Sequence, residues 1–126
     1  MNRSREAAER FADRRRREDE APRLRELVPR LTSCKIEIDE RRDGMIGAEV
    51  KHTRRIVVEH APALFLVACG NSACVDGGHD ITGPILRGLR EGQTEIEGED
   101  VCHGHTGSSA CGRIVRFTAH CEYDKS

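Results

Sequence analysis

The chain has few of the side chains from which protein cores are built. It contains no Trp, one Tyr and three Phe, and Leu, Ile, Val and Phe together number 26 of its 126 residues. That share is close to the level typical of disordered chains. The length suits one domain. We therefore expect a single small core and exclude a large enzyme core.

Long apolar runs are also missing. The opening MNRSREAAERF is charged from its third residue and has no apolar segment, which argues against a secretory signal. The longest apolar stretch, at residues 63–69, is too short to span a bilayer. The sequence thus predicts a cytoplasmic, bacterial-type protein without a membrane partner. In a reducing compartment its six Cys are more typical of metal ligands, reactive thiols or core residues than of disulfides.

The overall charge is nearly balanced but unevenly distributed. A formal charge of -1 gives no general argument for nucleic acid as a partner. The first 30 residues carry ten Arg against seven acidic residues, whereas the remainder is acidic. Opposite charges four residues apart predict a solvated helix at residues 3–20, followed by a short amphipathic helix from residue 24. We divide the chain into a charged helical arm or linker at residues 1–30 and a small domain at residues 31–126.

Beyond residue 30 the apolar periodicity predicts an α+β domain. Cys34, Ile36 and Ile38 alternate with charged residues, as in a half-buried strand. The apolar segment at residues 63–69 predicts a central strand. Further strands are expected at residues 54–59, 94–97 and 114–123, and a helix at residues 80–92. This order predicts an antiparallel or mixed sheet of four or five strands, with one amphipathic helix on one face.

Four cysteines are placed to meet at one edge of that sheet. Cys69 ends the predicted central strand, Cys74 lies in the following loop, Cys102 follows a short strand, and Cys111 precedes the last strand. The surrounding residues are mostly small and turn-forming. Four thiolates are a ligand set of structural Zn²⁺, whose binding supplies folding free energy of about 10–16 kcal/mol. The sequence therefore predicts a zinc-ribbon-like edge built on four cysteines, with Arg113 placed to compensate its negative charge.

Other ligand sets remain open. His79, His103 and His105 are alternative metal ligands, because each follows a cysteine closely in the sequence. We expect His79 at the N-terminus of the predicted helix, and His103 and His105 facing solvent. A [2Fe–2S] cluster on the four cysteines is a further alternative. The motifs of c-type haem attachment, of a C-x-x-C redox pair and of a phosphate loop do not occur.

The remaining two cysteines belong to predicted strands. Cys34 and Cys121 lie on the inward apolar faces of the first and last strands, so we expect them to pack in the core. A metal or disulfide partnership between them would require the two strands to be adjacent.

These features favour a small zinc-binding module that acts by binding another protein, as an adaptor or regulator, rather than an enzyme. Two alternatives stay open. One is a small metal- or thiol-dependent enzyme that uses His79, Asp80 and His103 near the metal. The other is nucleic-acid binding through the Arg-rich arm at residues 1–20, although neighbouring acidic residues neutralise that arm locally.

Overall fold

A four-stranded antiparallel sheet is the centre of the fold in the computed structural model, which describes residues 3–41, 50–71 and 73–124. The elements in chain order are α1 (Arg3–Glu20), α2 (Leu24–Leu27), β1 (Leu31–Arg41), β2 (Val50–Ile56), β3 (Leu66–Val67), β4 (His79–Asp80), α3 (Thr82–Arg90), β5 (Glu95–Val101), β6 (His105–Thr106), β7 (Ser109–Ala110) and β8 (Ile114–Tyr123). The strand order in the main sheet is β2-β1-β8-β5, so the predicted α+β class is confirmed.

The two central strands are those with the clearest alternation of apolar and polar residues. In β1, Ile36 and Ile38 are fully buried, and in β8 the same holds for Val115, Phe117 and Ala119. Because successive side chains of a strand point to opposite faces, one face of the sheet is apolar and the other is exposed to water. The predicted inward face of the last strand is thereby confirmed.

The predicted central strand at residues 63–69 is wrong. Only β3 forms there, and it pairs with β4 in a separate two-stranded sheet. The segment is apolar because it closes the core: Phe65 is 1% exposed, and its carbonyl accepts from the amide of Ile81. An apolar run indicates burial, but periodicity alone does not show that the buried segment is an extended strand in the main sheet.

Helix α3 covers the apolar face of the sheet. Its buried residues Ile85 and Leu89 lie four positions apart, and the helix packs against β5 next to Ile96. The predicted helix at residues 80–92 is therefore confirmed within two residues at each end. The amphipathic segment after Pro22 is shorter than expected, because α2 has four residues; Leu24 and Val28 nevertheless join the core.

The N-terminal helix contacts the rest of the protein. Arg14 donates to the Leu66 carbonyl at 3.2 Å, and Arg17 approaches the Asp80 carboxylate at 3.4 Å. The expected helix at residues 3–20 is confirmed, but it is not wholly solvated, since these two arginines reach β3 and β4. The division at residue 30 stays a prediction.

Candidate metal centre

The four cysteines of the predicted site converge. The Sγ atoms of Cys69, Cys74, Cys102 and Cys111 all lie within 4.8 Å of one another. The Cys69 and Cys111 sulfurs are 3.6 Å apart, and those of Cys74 and Cys102 are 3.7 Å apart. A tetrahedral ion with Zn–S bonds of about 2.3 Å holds its sulfurs about 3.8 Å apart. The group therefore has the dimensions needed to hold a metal ion.

Two segments deliver the thiols, and the backbone joins them. The first Cys segment (residues 69–78) follows β3, and the second Cys segment (residues 102–112) follows β5. Val75 and His105 form an antiparallel bridge between the segments: the Val75 amide donates to the His105 carbonyl at 2.8 Å, and the His105 amide donates back at 3.0 Å. This bridge brings the two pairs of cysteines together.

Backbone bonds also position both cysteines of the second Cys segment. The Cys102 amide donates to the Arg113 carbonyl at 2.8 Å, and the Cys111 amide donates to the Gly104 carbonyl at 2.9 Å. Between them, β6 and β7 form a short hairpin. The second Cys segment therefore begins at Cys102, directly after β5, and its last cysteine, Cys111, lies just before β8. Two neighbouring strands of the main sheet thus anchor the segment.

Two glycines are required because the segments approach each other so closely. A Cβ atom on Gly77 would lie 2.7 Å from the Cys102 sulfur and would overlap the Cys74 sulfur. A Cβ on Gly104 would lie 2.6 Å from the Gly77 Cα and would also overlap the Cys74 sulfur. Gly77 and Gly104 therefore do more than form turns: because they lack a Cβ, they leave the space that the sulfurs occupy.

Sequence reasoning missed a buried carboxylate that supports the site. Glu40 is 3% exposed, and its two oxygens accept from the Gly70 amide at 2.9 and 3.1 Å. One oxygen also accepts from Arg113 at 3.0 Å. Glu40 therefore links β1 to the residue after Cys69 and to the start of β8. The sequence could have indicated this role, because Glu40 continues the alternation of Ile36 and Ile38 and so places an acidic side chain on the buried face of β1.

Arg113 was expected to compensate the charge of the metal centre directly. In the structure its guanidinium is paired with Glu40, while its backbone amide is directed at the Cys111 sulfur. Gly70, which follows Cys69, and Arg113, two positions after Cys111, therefore share one buried carboxylate as a partner.

The thiols of the four-sulfur group differ in how readily they ionise. Burial raises the pKa of Cys74 to about 11, and burial likewise raises the pKa of Cys69. Burial also acts to raise the pKa of Cys111, but hydrogen bonds from the Arg113 amide and from the neighbouring thiols outweigh it and lower that pKa. Cys111 is thus the thiol that ionises most readily of these three, and metal binding must displace protons from the others.

The histidines lie apart from the sulfur group. His79 is buried in β4 rather than at a helix N-terminus as expected; its Nδ1 lies 2.8 Å from an Asp100 carboxylate oxygen, and its Nε2 is buried without a hydrogen-bond partner. His79 is buried because β4, which lies ahead of α3, pairs with β3 and places His79 opposite the buried Val67. His103 and His105 are exposed, as predicted. Among the described residues, the group that could hold a metal consists of cysteines alone.

Cys34 and Cys121 form a second pair of thiols. They are direct partners in the β1–β8 ladder, and their sulfurs are 3.8 Å apart in the core. Their mutual hydrogen bond and burial raise the pKa of Cys34. Both residues pack among apolar neighbours, as expected, and the adjacency of strands that a partnership would require is present.

A cleft separates α1 from the four-sulfur group. Its volume is about 500 Å³, and it is lined by Arg14 and Arg17 on one side and by Cys69, Cys74 and His79 on the other. Helix α1 therefore forms one wall of a recess that reaches Cys69 and Cys74.

Comparison with known proteins returns nothing: no family model, curated protein or solved structure matches the chain. None of the helices in the described ranges combines the length and apolar character needed to cross a bilayer.

Proposed function

We propose that the four cysteines hold one structural Zn²⁺ and that the protein acts by binding another protein, as an adaptor or regulator. The observation that carries the metal assignment is the mutual approach of four sulfurs within 4.8 Å. Four protein ligands complete the tetrahedron of zinc and leave no position for water or substrate. Such closed sites are structural, whereas catalytic sites keep one position open.

The composition of the two Cys segments supports a structural role for the metal. Taken as whole residues, none of those described in the first Cys segment is buried, and in the second only Cys102 and Gly104 are. These segments therefore gain little free energy from apolar burial, and a shared ion would supply what packing does not. Binding energies of about 10–16 kcal/mol for structural zinc compare with a total stability of about 5–15 kcal/mol for a domain.

The separations favour a single ion over an iron–sulfur cluster. A two-iron cluster distributes its four thiolates over two metal atoms, so sulfurs on different irons stand farther apart than sulfurs on one ion. Here all four sulfurs lie within 4.8 Å of one another, as expected around one ion. The pairs at 3.6 and 3.7 Å alone fit either arrangement, because two thiolates on one iron are equally close.

Binding is favoured over catalysis because the three residues of the enzyme alternative do not all meet: His79 and Asp80 line the recess beside Cys69 and Cys74, but His103 is not part of its lining. The imidazole of His79 is hydrogen-bonded to the Asp100 carboxylate. The Asp80 carboxylate accepts from Arg17 and from the Thr82 amide, and His103 is exposed. The exposed apolar side chains Val57 and Val101 and the charged outer face of the sheet offer surface for a protein partner instead. Nucleic-acid binding is less favoured, since acidic groups and a carbonyl of the protein itself engage Arg14, Arg16 and Arg17 of α1.

Metal identity and stoichiometry test the proposal. Native mass spectrometry of the purified protein should show one zinc per chain. Two irons per chain would instead favour the iron–sulfur cluster and contradict the zinc assignment. The Co²⁺-substituted protein reports on an open position: we expect its visible spectrum to be unchanged by azide, whereas a shift would favour the catalytic alternative. Salt-sensitive retention on DNA or RNA that is lost on deletion of residues 1–20 would contradict the protein-binding assignment.

A further inference from the structure

The two edges of the main sheet differ in charge. Strands β2 and β5 are its first and last strands. An edge strand has a row of backbone N–H and C=O groups that can pair with another strand. Strand β2 carries Lys51, Arg54 and Arg55, whereas β5 carries four acidic residues, namely Glu95, Glu97, Glu99 and Asp100. One edge is therefore basic and the other acidic.

The register extends this difference into three rows across the solvent face. None of the side chains in these rows is fully buried. From β2 to β5 the rows are Arg55–Lys35–His120–Glu95, Thr53–Glu37–Thr118–Glu97 and Lys51–Asp39–Arg116–Glu99. Two rows begin with a cation on β2, and all three end with a carboxylate on β5.

The strand directions allow the rows to continue into another molecule. Each neighbouring pair in the sheet is antiparallel, so β2 and β5 run in opposite directions. A second copy placed alongside in the same orientation would present its β2 antiparallel to β5. Continuing the register then sets Glu95 opposite Arg55 of the second copy and Glu99 opposite Lys51 of the second copy. Opposite charges directly across an antiparallel pair stabilise it.

We propose that the chain associates with further copies of itself, the β2 edge of one copy pairing with the β5 edge of the next. The complementary charge of the two edges selects a second copy in this register, because like charges across the ladder are destabilising. The interface joins two different surfaces, so a free β2 edge remains at one end of the assembly and a free β5 edge at the other, and the assembly is an open series. This proposal concerns the sheet and does not depend on the metal assignment.

Sedimentation velocity of the purified full chain tests it. At low ionic strength we expect a series of species whose mass grows with protein concentration, and at about 0.5 M salt, where screening acts over a few Å, a shift toward monomer. The variant K51E/R55E makes both edges acidic, and we expect its association to weaken by about tenfold or more. The matched control R87E/R90E makes the same charge change on exposed positions of α3 and should associate like the wild type.

A charge-swapped partner completes the test. The variant E95K/E99K places cations opposite Arg55 and Lys51 of the second copy and should also be monomeric. It loses the exposed Arg116–Glu99 pair, a small cost. Far-UV circular dichroism verifies that each variant is folded. Mixing the two variants restores complementary edges, so we expect association to return. The proposal is overturned if the wild type stays monomeric at low salt, if K51E/R55E associates like R87E/R90E, or if the mixture stays monomeric.

Discussion

Replacing Cys74 by Ser should release the metal and destabilise both Cys segments. The Cys74 sulfur contacts that of Cys102 at 3.7 Å and lies against Gly77 and Gly104, where the two segments meet. If four thiolates share about 10–16 kcal/mol equally, the loss of one costs about 3–4 kcal/mol. That is about a 100- to 1000-fold loss of zinc affinity. For a domain of this size it lowers the unfolding midpoint by about 10–20 °C.

The assay combines zinc content, measured on the dialysed protein, with thermal unfolding followed by circular dichroism. The matched control is Cys34→Ser, which also removes a thiol and disturbs the core but leaves the four-sulfur group intact. We expect the control to lose stability while retaining one zinc per chain. The reasoning is refuted if Cys74→Ser keeps its full zinc content and the unfolding midpoint of the wild type.

Three further predictions follow from the surroundings of the sulfurs. Gly104→Ala should weaken zinc binding by about tenfold or more in a chelator competition, because the added Cβ overlaps the Cys74 sulfur. The control is Gly83→Ala, where the added Cβ meets open space. Equal zinc affinities of the two variants would contradict the close-approach argument. Glu40→Ala should lower the free energy of unfolding in guanidinium by about 3–5 kcal/mol, because it removes the buried carboxylate that pairs with Arg113 and accepts from the Gly70 amide. A loss below about 1 kcal/mol would show that this carboxylate is not structural. Zinc affinity should fall as pH falls, because burial raises the pKa of the free Cys74 thiol to about 11 and binding must displace its proton; an affinity that is flat from about pH 8 to about pH 6 would exclude thiolate ligands.

The sequence predicted the elements whose pattern is local. The alternation around Ile36 and around Phe117 identified β1 and β8, and the four-residue spacing of Ile85 and Leu89 identified α3. The grouping of the four cysteines was also predictable, although one premise was wrong. Cys69 does not end a strand of the main sheet; it reaches the site because the first Cys segment is bridged to the second through Val75 and His105.

Features that depend on contacts between distant residues were not predictable. The apolar segment at residues 63–69 closes the core without joining the main sheet, since its backbone pairs with the residues ahead of α3. The role of Glu40 requires knowing that Gly70 and Arg113 lie beside it, and these are 30 and 73 residues away in sequence. The burial of His79 likewise depends on Asp100. Tertiary contacts of this kind leave little local signal.

X-ray absorption spectroscopy of the purified protein tests the central claim most directly. At the zinc edge, we expect a first coordination shell of four sulfur atoms at about 2.3 Å and no nitrogen or oxygen ligand. A shell that contains nitrogen, an absorption edge of iron in place of zinc, or a folded protein without any bound metal would contradict the assignment.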